Sequence, residues 1–146
     1  MRKAIVVALA IGGLGALPAE PAGAKKAVRF TDKLIGAQIS ATQAAFKLHD
    51  SYFGDGAGVQ TAKLNAALTA GTDVTTTYYG NASATSKDAF TIGKPNAQGV
   101  ATLTGSGHDV RGTGRAKGLT STYTFTGTVN FKTFVYSVTL TGTYFF

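Results

Sequence analysis

The feature that most constrains this chain is a two-residue alternation of threonine with aromatic and aliphatic residues near its C-terminus. From Thr122 to Val129, Tyr123, Phe125, Gly127 and Val129 occupy every second position, and threonine occupies the others. From Thr133 to Tyr144, one face reads Phe134, Tyr136, Val138, Leu140, Gly142 and Tyr144; the other reads Val135, Ser137, Thr139, Thr141 and Thr143. Side chains alternate across a β-strand, so a period of two builds one apolar and one polar face. Asn130-Phe131-Lys132 between the two runs reads as a hairpin loop.

Further strands are expected at about Ile35–Thr42, Ala44–Tyr52, Thr72–Tyr79, Ala82–Ile92, Gln98–Gly105 and Gly107–Arg115. Glycine-rich segments such as Gly54-Asp-Gly-Ala-Gly58 and Gly93-Lys-Pro-Asn96 separate them. Val59–Ala70 stays open: Ala62, Leu64, Ala66 and Leu68 alternate as in a strand, while the alanine content permits a short helix. Residues 25–34 read as an N-terminal arm, and 35–146 as one domain. About eight strands at short spacing predict an all-β, antiparallel up-and-down barrel, with a β-sandwich as the alternative.

The N-terminus reads as an export signal. Met1-Arg2-Lys3 is a basic start, Ala4–Leu17 an apolar run, and Ala22-Gly23-Ala24 a small-residue cleavage site. The run is shorter than the ~20 apolar residues of a spanning helix. A cleaved signal near Ala24 is expected, with an uncleaved anchor as the alternative. The mature chain is then secreted or held in the cell envelope, with no membrane span.

Composition removes several classes. The chain has no cysteine, which excludes disulfides, thiolate metal sites and cysteine nucleophiles. Two histidines and no cysteine argue against zinc. From residue 25 onward, twelve Lys and Arg face six Asp and no Glu. The basic residues are dispersed, and no nucleic-acid-binding motif is present. Only Arg111, Arg115 and Lys117 cluster, a weak candidate for an anion-binding loop against the plainer reading of a solvated turn. No cofactor or metal is expected.

Polarity on an apolar phase marks the candidates for chemistry. Asp50 falls in phase with Phe46, Leu48 and Tyr52, and Asp88 with Phe90 and Ile92. Carboxyls facing a barrel interior have raised pKa values and can move protons. A strand-end Asp can equally bond turn amides. Tyr78, Tyr123, Tyr136 and Phe125 are expected to face the same interior and contact a ligand. His49-Asp50 and His108-Asp109 are not ready-made dyads, because neighbours on a strand point to opposite faces. No serine sits in a nucleophile elbow.

The stretch Thr104-Gly-Ser-Gly-His-Asp-Val-Arg-Gly-Thr-Gly-Arg-Ala-Lys-Gly118, with Thr122–Thr128 and the closing Val138–Tyr144, resembles the C-terminal half of the allene oxide cyclase and dirigent barrel superfamily. It departs from that pattern at Arg111, where glycine is usual, and at Ala116, where an aromatic is common. The resemblance covers about a third of the chain. It implies an eight-stranded calycin-like barrel, often dimeric or trimeric, that either folds a reactive intermediate into one stereoisomer or has no known activity.

Three functions therefore compete. The first is a secreted barrel binding an apolar or aromatic small molecule. The second is a cofactor-free isomerase or cyclase using Asp50 or Asp88. The third is a structural envelope or outer-membrane barrel. Terminal Tyr144-Phe145-Phe146 suits the last, whereas several expected strands are shorter than the ~9–11 residues a membrane strand needs.

Overall fold

The alternation folds into a closed wall. The structure, a computed structural model, describes residues 25–146; the expected signal at 1–24 lies outside them. Eight antiparallel strands run in order around one barrel: β1 (Ala27–Gln38), β2 (Gln43–Asp50), β3 (Gly54–Leu64), β4 (Ala70–Tyr79), β5 (Ala82–Ile92), β6 (Val100–Thr113), β7 (Thr120–Asn130) and β8 (Val135–Phe145). Each pairs with its sequence neighbours, and β8 returns to β1. One turn of 3-10 helix, Gly114–Ala116, follows β6. The barrel, not the sandwich, is the form adopted.

Three segments differ from expectation. Most of the 25–34 arm is β1, whose apolar phase of Val28, Phe30 and Leu34 is interrupted by Asp32. Gly54–Gly58, read as a breaker, opens β3, and Val59–Leu64 continues it as strand. The segments 98–105 and 107–115 are one long strand, β6, with a register shift opposite Thr85/Ser86. The extra residue there, Val110, lets both Asp109 and Gly112 face inward.

Register sets the bore. Stepping from Gly54 through Asp50, Asp32, Leu140, Phe125, Gly105, Phe90 and Gly71 arrives at Leu64, ten residues along the strand of departure. A stagger of this size tilts the strands by about 40° and suits an interior holding one small ligand.

The apolar face points in. Tyr123, Phe125, Val138, Leu140 and Tyr144 line the interior, while the threonines of β7 and β8 cover the outside. Strand length does not argue against a membrane barrel, since seven strands have ten or more residues. The outer wall carries Arg29, Lys33, Lys47, Lys87 and rows of threonine, interspersed with exposed Ile35, Val59, Val74 and Tyr78; charges on the wall are costly in a lipid-facing barrel.

Glycines give the interior its shape. A Cβ at Gly58 would strike the Phe46 ring, one at Gly71 the Phe90 ring, one at Gly105 the Phe125 ring, and one at Gly36 the Tyr136 ring. Each pair is a direct register partnership. The rings thus lie flat against a neighbouring strand rather than across the bore.

The two ends differ. At one end, Phe53 stacks on Tyr79 at 5.0 Å and meets Tyr144 edge-on at 5.4 Å. Ala116 and Leu119 are buried beside them. This end is plugged. At the other, the β1–β2, β3–β4 and β7–β8 loops ring an opening. Leu68 and Phe134 there are exposed and take left-handed backbone, with φ of 56° and 57°.

Candidate functional site

The plug and the flattened rings leave a cavity of about 590 Å³, open between the loops of the unplugged end. This is within the range of small-molecule sites. Leu34, Phe46, Phe90, Leu103, Phe125 and Leu140 supply apolar wall. Asp32, Asp73, Asp88 and Asp109 supply the polar groups, with Asp50 buried beneath them. Five of the six described aspartates therefore face inward. The sixth, Asp55, sits outside and accepts from His49 at 2.7 Å, both side chains being well exposed.

Four of the five inward carboxyls form two pairs of direct register partners; the fifth, Asp109, opposes Ser86. Asp73 on β4 opposes Asp88 on β5. Tyr123 OH donates to Asp88 Oδ1 at 2.5 Å and Ser86 Oγ to Oδ2 at 3.2 Å. Thr75 Oγ1 donates to Asp73 Oδ1 at 2.9 Å and Gln60 Nε2 to Oδ2 at 3.0 Å. Tyr136 OH in turn donates to Gln60 Oε1 at 2.7 Å. Burial and the neighbouring Asp73 push Asp88 up to about 8, so the pair holds a proton near neutral pH. Burial also drives the phenols of Tyr123 and Tyr136 well above the usual tyrosine range, keeping both as hydroxyl donors.

Asp32 on β1 opposes Asp50 on β2. Asp50 is 1% exposed and fully engaged: Oδ1 accepts from the Tyr52 and Phe53 amides at 2.5 and 2.8 Å, and Oδ2 from Tyr144 OH. It is the strand-end Asp that ties a turn, and it belongs to the plug. Asp32 is 3% exposed, and its Oδ1 has no hydrogen-bond partner among the described residues. Burial first, then Asp50, raises it to about 8. Burial raises Asp109 as well, its Ser121 hydrogen bond opposing the shift.

The remaining sequence candidates divide. Tyr123, Tyr136 and Phe125 line the cavity as expected. Tyr78 does not: it is 56% exposed on the outer wall, because Asp73, Thr75, Thr77 and Tyr79 take the inward phase of β4. Arg111, Arg115 and Lys117 are exposed around the plugged end, away from the cavity. Arg115 lies over the Phe53 ring at 5.7 Å and covers the plug. No group that could hold a metal ion exists among the described residues.

Sequence reasoning missed Asp32, Asp73 and Asp109. Asp32 shares a phase with Phe30 and Leu34, which was signal enough. Asp73 and Asp109 sit among threonines and glycines, where no apolar phase marks the inner face. The chain matches no protein-family model, no curated protein and no solved structure.

Proposed function

We propose that this protein is an exported barrel that binds an apolar or aromatic small molecule in its bore. One observation carries the reading: the closed wall surrounds a 590 Å³ cavity, open at one end, with an apolar wall and a few polar groups at depth. The polar outer wall supports a binding role over an outer-membrane barrel. The resemblance to the allene oxide cyclase and dirigent barrels belongs to the same proposal, supported by the eight-strand closure.

The test is titration with a neutral fluorescent probe, N-phenyl-1-naphthylamine. Saturable binding to the native protein, weakened at least about tenfold by Leu103→Trp, which fills the bore, is expected. A protein that folds but leaves the probe's fluorescence unchanged overturns the reading.

A second reading, proton-transfer isomerisation, is favoured by Asp88, a carboxyl poised near neutrality on the cavity wall beside the Tyr123 hydroxyl. Asp50 is no longer a candidate for that role, since its oxygens are occupied in the plug. Exchange of α-hydrogens of 4-phenyl-2-butanone in deuterium oxide would be followed with native protein and Asp88→Asn. Exchange that Asp88→Asn leaves intact eliminates this mechanism.

A further inference from the structure

The cavity contains acids but almost no counter-charge. Of the cations among the described residues, only Lys63 borders it, near the open end. Toward the plug, the groups facing Asp32 come from every neighbouring wall: Asp50 on β2, Tyr79 on β4, Asp109 on β6 and Tyr144 on β8. None of these groups donates to Asp32 Oδ1: Tyr144 donates to Asp50, and the Ser121 hydroxyl accepts from the Asp109 amide. Asp32 Oδ1 is left buried with no partner among the described residues. A buried polar oxygen without a partner is costly, and it is rare in a folded protein.

We propose that the ligand is an apolar amine whose protonated nitrogen seats on Asp32 while its carbon skeleton fills the bore. This rests on the binding reading above and names its ligand class. An ammonium supplies the missing donor and the missing positive charge together. A neutral alcohol supplies only the donor. A carboxylate or phosphate meets four lining aspartates and is repelled. Because Asp32 and Asp88 hold protons near neutral pH, an incoming ammonium displaces one, so binding tightens as pH rises toward about 8.

The experiment uses the full chain as expressed and three probes of one shape: 4-phenylbutylamine, 4-phenylbutanol and 4-phenylbutyrate. Calorimetric titrations at about pH 6 and pH 8, in buffers of differing ionisation enthalpy, give affinity and protons released. The amine is expected to bind at least about tenfold more tightly than the alcohol at the higher pH, with the carboxylate weakest. Its affinity should gain several-fold to about tenfold per pH unit, with proton release, while the alcohol's stays level. Asp32→Asn should cut amine affinity at least about tenfold and leave the alcohol and N-phenyl-1-naphthylamine within about threefold. Should that variant not fold, the native protein's ranking and proton release decide alone. Equal binding of amine and alcohol, or amine binding without proton release, overturns the amine assignment while the cavity reading survives. If N-phenyl-1-naphthylamine also fails to bind, the cavity reading falls first.

Discussion

The barrel holds two pairs of aspartates that look alike on the strands and do different work. Asp32–Asp50 and Asp73–Asp88 are each inward-facing register partners on adjacent strands. In the first pair, Asp50 is absorbed by the plug: two turn amides and Tyr144 take its oxygens. Its partner Asp32 is left short of a donor. In the second pair, both members are served by side chains of the cavity wall, Gln60, Thr75, Ser86 and Tyr123. Backbone donors build structure around a carboxyl, whereas hydroxyl and amide side chains can reorient when a ligand arrives. The same residue type in the same kind of register is therefore scaffold at Asp50 and site at Asp32, Asp73 and Asp88.

That contrast can be broken most directly at Asp50. Asp50→Ala removes the acceptor for two amides and one buried hydroxyl, and should cost about 4 kcal/mol or more in urea unfolding. Asp88→Asn should cost under about 1 kcal/mol at neutral pH, because the carboxyl it replaces already holds a proton. Equal losses for the two variants would abolish the distinction.

The next effect is on pH. Asp32 and Asp88 titrate near 8 when folded, against an ordinary value of 3.8. The folded protein therefore binds more protons than the unfolded chain between these limits. Stability is full below about pH 4 and falls as pH rises through about 8. Unfolding free energies from urea titrations at pH 5 and pH 9 should differ by about 2 kcal/mol or more, and Asp32→Asn should flatten the slope. A protein more stable at pH 9 would contradict the buried-acid interior.

Smaller effects follow on the wall. Gly36→Val drives a side chain into the Tyr136 ring and should cost about 1–3 kcal/mol, partly restored by Tyr136→Leu in a double-mutant cycle. Tyr78→Ser, on the outer wall, should stay within about 0.5 kcal/mol by the same measurement.

Much of this was legible beforehand, for a physical reason. The alternation of β7 and β8 announces its inner face because Tyr123, Phe125, Val138 and Leu140 are apolar and their neighbours are threonine. Asp50 and Asp88 stand out against the same background. β3 and β4 do not announce theirs. There the inner positions are Gly56, Gly58, Gln60, Asp73, Thr75 and Thr77, which period-two reasoning cannot tell from the outside. The outward place of Tyr78 is hidden for that reason. The closure of the barrel, and the extra residue at Val110 that lets Gly112 face inward as well as Asp109, depend on pairing between strands and leave no local trace in the sequence.

The glycine–ring partnerships bear on how such a cavity could change over generations. Enlarging a glycine meets a ring, and the substitution is disfavoured alone. Shrinking a ring leaves a hollow above its glycine and is also disfavoured alone. Partners such as Gly36 and Tyr136, where the ring alone blocks the glycine, lie on different strands and must mutate as two separate events. A lineage descending from this chain would keep its bore through long neutral drift of the outer threonines. It would acquire a new ligand shape in paired steps, each passing through a less stable intermediate.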